Sequence, residues 1–251
     1  MGSAEAPRPP IVLSPSGPSA QGAQRAQRAE GAEGAQRAEG VTAGNGKRGV
    51  FIVFEGSDAS GKSTQVRLLA SRLEGLGITP LVTREPGGTS VGARIRSLVL
   101  DHSDEGAVLS ARAEALLMAA DRAQHASTVL RPALDAGRVV LCDRYIGSSI
   151  VYQGIGRGLG ASDVEQISLW ATEHLVPART VVIQVPLATV TERLGTLGTP
   201  DRLESLGPCF LELVTEGYSS LLTRPDTVGV LGTGSPEEVA ARVWSSVEDL
   251  F

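Results

Sequence analysis

The chain has 251 residues, 41% of them hydrophobic, with 23 basic and 28 acidic side chains and a formal net charge of −5. That allows one medium domain with its own core, and the acidic balance argues against general nucleic-acid binding. Cys142 and Cys209 make neither a zinc spacing nor a disulfide framework, and no apolar run approaches the roughly 18 residues of a spanning helix, so a cytoplasmic protein without a membrane or nucleic-acid partner is expected.

In chain order, residues 1–48 come first, rich in Ala, Gly, Gln, Arg, Glu, Pro and Ser, with the hexapeptide AQRAEG at 26–31 and again at 35–40. Too little apolar surface is present to offset the entropy of ordering, so a disordered low-complexity tail is expected. The tail carries six basic and four acidic residues, which leaves residues 49–251 at −7. Those residues read as globular throughout. Residues 49–55 (GVFIVFE) form a short apolar run suited to a buried parallel strand. A Gly-rich turn follows, then a helix from about 62 to 74. Second, third, fourth and fifth strands are predicted at 78–83, 138–143, 179–185 and 227–231. A long helical pattern covers 109–135, and Ser235-Pro236-Glu237-Glu238 marks the start of a last helix with Val239, Val243, Trp244, Val247 and Leu250 on one face. Strands alternating with helices predict a doubly wound α/β fold around a mainly parallel, five-stranded sheet.

The turn after the first strand carries the strongest motif. Gly56-Ser57-Asp58-Ala59-Ser60-Gly61-Lys62-Ser63 fits G-x-x-x-x-G-K-[ST] between a predicted strand and a predicted helix, and Thr64 continues the helix. Backbone N–H groups and the helix N-terminus favour phosphate there, Lys62 supplies a full positive charge, and the Ser63 hydroxyl suits Mg²⁺. Lys62 is the only lysine after residue 47. The motif implies ATP or a related triphosphate and leaves the acceptor open. His102, His125 and His174 have no ligand spacing, and Cys142 reads as an inert buried thiol.

Three further stretches narrow the acceptor: Thr83-Arg84-Glu85-Pro86-Gly87-Gly88-Thr89, Asp143-Arg144-Tyr145, and Ser148-Ser149-Ile150-Val151-Tyr152-Gln153-Gly154. Together with the phosphate loop they resemble the thymidylate kinase family of P-loop nucleoside-monophosphate kinases, from about residue 49 to the end. The resemblance implies transfer of a phosphoryl group from ATP to dTMP, with Mg²⁺, and a homodimer as one possible assembly. It implies that Asp58 faces the acceptor sugar, that Glu85 and Pro86 shape the acceptor pocket, and that Arg96 and Arg144 hold the acceptor phosphate. Asp143 joins Ser63 near Mg²⁺, Arg122 reaches the base edge with Ser149 nearby, and Tyr152 packs against the sugar. Residues 193–205 correspond to the lid.

The sequence departs from this family at two places. The family carries a catalytic basic residue in the phosphate loop or arginines in the lid; here Ala59 occupies the first position, and Gly195 and Leu197 stand where lid arginines are expected. Arg193 and Arg202 remain as candidates, with Arg157 as a substitute. The aromatic ring expected on the base is replaced by Met118. Two other readings therefore stay open: a kinase of the same fold for a different or modified pyrimidine monophosphate, and an ATP-binding protein with weakened turnover. A deoxynucleoside kinase would need a carboxylate base near the sugar, for which Glu55 and Asp58 are the local candidates.

Overall fold

A computed structural model of the chain describes residues 49–101, 109–196 and 202–251. The low-complexity segment 1–48 and the middle of the lid, 197–201, lie outside the described residues. Five parallel strands, β1 (Phe51–Glu55), β2 (Leu81–Arg84), β3 (Val140–Asp143), β4 (Arg179–Gln184) and β5 (Thr227–Leu231), form one sheet in the order β2-β3-β1-β4-β5. Central β1 pairs Phe51 with Val140 of β3 and Ile52 with Arg179 of β4.

Side-chain alternation along the strands divides the core. Phe51, Val53, Val140, Cys142 and Val182 pack on one face, with Leu130, Leu134, Ile150, Val151, Val214 and Leu221. Ile52, Phe54, Leu141, Val181 and Ile183 pack on the other against α1 (Lys62–Gly75) and a C-terminal helix. Both faces of β1 are covered, which is why its sequence is an unbroken apolar run. The remaining helices are α2 (Ser90–Leu100), α3 (Ala111–His125), α4 (Arg131–Asp135), α5 (Ile146–Ser149), α6 (Ala161–Ala171), α7 (Leu187–Leu194), α8 (Pro208–Gly217) and α9 (Pro236–Ser245).

Element boundaries differ from the sequence expectation where local geometry intervenes. The second strand begins at Leu81, three residues late, because Gly77 at φ 81° lets the Ile78 N–H donate to the Leu73 carbonyl and close α1. The helical pattern over 109–135 is interrupted by a π-helical turn, Ala126–Leu130, just before Pro132. Proline lacks an N–H and crowds the preceding turn, and a wider turn accommodates it. A second π-helical turn, Ile150–Gly156, follows α5. At the C-terminus α9 stops at Ser245, and Leu250 sits on a separate short turn, Glu248–Leu250. Ser235 caps α9 as expected, accepting from the Glu238 N–H while the Glu238 carboxylate accepts from the Ser235 N–H.

Ligands bind such sheets at the carboxyl ends of the strands. Here β1 runs into the phosphate loop, β2 into Glu85-Pro86, and β3 into Arg144, so the three motifs arrive at one edge.

Candidate active site

A cleft of about 1020 Å³ opens at this edge. Its lining joins the phosphate loop to Glu85, Arg96, Asp143, Arg144 and Arg193. Gly56 has φ 145°, and a Cβ there would come within 2.7 Å of the Ile183 carbonyl, so only glycine lets the loop leave β1 this way. Gly61, at φ 98°, precedes α1, whose first residue is Lys62. Lys62 Nζ donates to the Ser57 carbonyl at 2.7 Å and lies 3.4 Å from Ser60 Oγ. Burial, and next the Arg144 charge, pull the Lys62 ammonium down to about 8, against the pull of Asp58 and Asp143. Thr64 completes the lining of this half.

Ser63 Oγ donates to Asp143 Oδ2 at 2.5 Å, across 80 residues of sequence. A hydroxyl and a carboxylate side by side are hard oxygen donors. They fit Mg²⁺, which takes one or two protein oxygens and fills its octahedron with water and phosphate. Among the described residues no group of three or more His, Cys, Asp or Glu side chains is arranged to hold a metal ion.

The residues expected on the acceptor side centre on Arg144, itself in the left-handed region at φ 70°. Its Nη2 donates to Asp58 Oδ1 at 2.5 Å, and the Tyr152 hydroxyl donates to Asp58 Oδ2 at 2.5 Å. Burial alone would raise the Asp58 pKa. The charges of Arg144 and Lys62 and the hydrogen bonds from Tyr152 and Arg144 outweigh it, and the carboxyl falls to about 2. Asp58, Arg144 and Tyr152, each singled out in the sequence for the acceptor, are thus brought together. Arg96 Nη1 donates to the Pro86 carbonyl at 3.2 Å and shares the cleft.

Other expected acceptor residues lie a layer deeper. Arg122 is only 2% exposed. Its Nε donates to Glu85 Oε2 at 2.8 Å, Nη1 to Ser168 Oγ at 3.0 Å, and Nη2 to the Tyr145 carbonyl at 3.0 Å and Ser149 Oγ at 3.1 Å. One Nη1 N–H is left over from these bonds. Met118 packs with Ile95 and Val99 in a small apolar cluster between α2 and α3.

The two lid arginines part company. Arg193, at the end of α7, lays its guanidinium on the phosphate loop, donating to the carbonyls of Ala59 at 3.1 Å and Ser60 at 3.4 Å. Arg202 instead donates to the Val99 carbonyl at 2.6 Å and to Glu114 Oε2 at 2.6 Å. Arg157 Nε stands 3.7 Å from the same carboxylate. The fully buried Glu114 holds both, so neither lines the cleft.

Three site residues were missed or under-read in the sequence. His125, given no role, sets Nδ1 2.8 Å from Glu85 Oε1 and Nε2 2.7 Å from Thr83 Oγ1. Its position three after Arg122 on one helix face was the available signal. Ser148 and Tyr218 both reach Arg144 Nη1, at 3.0 and 2.8 Å. Cys142 is fully buried, and burial pushes its thiol well up, as an inert core cysteine requires.

Residues 54–243 match the family model "Thymidylate kinase". The thymidylate kinase of Leifsonia xyli subsp. xyli is 47% identical over 197 residues, 78% of this chain and 92% of that protein. That of Clavibacter michiganensis subsp. michiganensis is 45% identical over 206 residues, 81% and 96% of the two chains. That of Cutibacterium acnes is 51% identical over 173 residues, 69% and 82%. The chain belongs to the thymidylate kinase family. As a thymidylate kinase family member it is a nucleoside-monophosphate kinase, a transferase. Met118 and the lid departures both lie within the residues that match the family.

Proposed function

We propose that the enzyme transfers the γ-phosphoryl group of ATP to the 5′-phosphate of dTMP, forming ADP and dTDP. The observation that carries this is the meeting of two half-sites in one cleft: Lys62, Ser63 and Asp143 on the donor side, Asp58 and Arg144 on the acceptor side, with Tyr152 bonded to Asp58 from behind. A phosphate monoester is already nucleophilic, so the protein's task is positioning and neutralising charge. Lys62 and the loop N–H groups bind the donor phosphates. Ser63 and Asp143 would hold Mg²⁺, which when bound offsets charge on the phosphates. Arg144 and Arg96 hold the acceptor phosphate, for which a guanidinium fork is suited. Glu85 and Pro86, with Arg122, Ser149 and Met118 behind them, form the acceptor wall.

Arg193 is the lid arginine that serves the transferred group, since its guanidinium already lies on the phosphate loop. Arg202, tied to Glu114, anchors the lid's end. A hydroxyl acceptor is disfavoured, because Glu55 is committed to the Tyr145 and Ser148 N–H groups and Asp58 is ion-paired. A homodimer fits the same reading: Leu98 and Leu116 stand exposed on α2 and α3, which pack together. A cytoplasmic location fits nucleotide substrates; no helix among the described residues is long and apolar enough to cross a membrane.

The test is ADP production with Mg²⁺ and ATP against dTMP, dUMP, UMP, dCMP and 5-substituted dUMPs. Preferred turnover of dTMP is the expected result. A different preferred monophosphate would assign Met118 to a changed specificity, and ATP binding without any transfer would leave a nucleotide-binding protein.

A further inference from the structure

Glu55 ends β1 immediately before the phosphate loop and is fully buried. Its Oε1 accepts from the Tyr145 N–H at 2.9 Å and the Ser148 N–H at 3.0 Å. Its Oε2 accepts from Ser148 Oγ at 2.6 Å, with the Tyr218 hydroxyl at 3.5 Å. No nucleotide can reach it through this shell. Burial disfavours its charged form, against the pull of the Ser148 hydrogen bond and of Arg144, so a carboxylate here is a cost to the fold.

The hydrogen inventory says what the carboxylate does. A guanidinium has only donors, and a hydroxyl has one proton. Arg144 Nη1 faces Ser148 Oγ at 3.0 Å and the Tyr218 hydroxyl at 2.8 Å, and those two oxygens are 3.0 Å apart. Arg144 Nη1 has two N–H groups for these two oxygens and the Gly56 carbonyl at 3.0 Å; neither hydroxyl can donate to a guanidinium, so both must send their protons elsewhere. Glu55 is the acceptor at the end of that chain: Ser148 donates to it, and Tyr218 donates to Ser148 or to Glu55. The same carboxylate also pins the backbone after Arg144, whose left-handed turn is held on the other side by its N–H on the Phe54 carbonyl at 2.8 Å.

We propose that Glu55 is a positioning residue for the acceptor phosphate: it orients the Ser148 and Tyr218 hydroxyls and the turn that together aim Arg144, without itself touching substrate. The proposal rests on the reading of Arg144 as the acceptor-phosphate ligand. Glu55→Gln keeps the shape but removes acceptor capacity: an amide N–H₂ at the Oε1 position faces the Tyr145 and Ser148 N–H groups, and one at the Oε2 position makes Ser148 Oγ its acceptor and leaves a hydroxyl proton of the relay without one.

The experiment uses the full chain and compares KM for dTMP, KM for ATP, and the Kd of dTMP against that of thymidine, which lacks the phosphate. Glu55→Gln is expected to raise the dTMP KM and Kd about tenfold or more, with ATP and thymidine changed less than about twofold. An unchanged dTMP KM overturns the proposal, and so does equal weakening of dTMP, thymidine and ATP, which would mean general loss of structure. Should Glu55→Gln fail to fold, Ser148→Ala combined with Tyr218→Phe decides. That variant keeps Glu55 and removes the relay; a selective loss of dTMP affinity supports the proposal and normal affinity overturns it. Arg144→Ala is the control. If it leaves dTMP binding intact, the assignment of Arg144 is what fails, whatever Glu55 does.

Discussion

Lys62 sits where burial and charge pull in opposite directions. With its ammonium lowered to about 8 from an ordinary 10.5, the folded chain releases this proton earlier than the unfolded chain does. Between about pH 8 and 10.5 the unfolded state holds the extra proton, so this group's contribution to stability rises with pH through that window and is least below it. Function runs the other way. Above about pH 8 the free enzyme loses the charge that meets the phosphates, so ATP affinity falls by up to about tenfold per pH unit, and in Lys62→Arg the affinity stays flat over the same range. ATP titrations at several pH values check both. Lys62→Ala is expected to lower kcat by at least about 10²–10³-fold, the loss typical of one preorganised donor, while the thermal melt stays cooperative. Loss of the melt would reassign Lys62 to the core.

At the scale of elements, the loop after β2 is bound to α3 by a buried ionic network. Glu85 accepts from Arg122 and faces His125, all three almost wholly buried. Removing one member of a buried pair strands the other charge, at about 3–5 kcal/mol. Glu85→Ala should therefore lower Tm by roughly 6–20 °C for a domain of this size and, on the proposed reading of this loop as acceptor wall, weaken dTMP more than ATP. A melt within about 2 °C of the native one would show the network to be dispensable. The sequence marked Glu85 and Arg122 as separate pocket residues. Their pairing depends on the crossing of α3 over the end of β2, which residue spacing does not contain.

For the whole molecule, every site residue described and the full family match lie within residues 49–251. A chain beginning at Gly49 is expected to keep kcat/KM for both substrates within about twofold of the full chain. A larger loss in the same assay would give residues 1–48 a part in catalysis.

Sequence by itself determined the fold class and the local form of the phosphate loop. An apolar strand, a glycine-bounded loop and a helix with lysine at its start are contiguous, so local geometry alone assembles them; the cap at Ser235 and the strand at Thr227–Leu231 were legible for the same reason. Tertiary structure decided the rest. Ser63 meets Asp143 across 80 residues, and Arg144 meets Tyr218 across 74. Arg193 and Arg202 looked alike in the sequence, and the packing sent one to the phosphate loop and the other to Glu114. Which charge a buried group is offered, and from how far, follows from the placement of whole elements, because burial makes each unmatched donor or acceptor costly wherever the chain brings it.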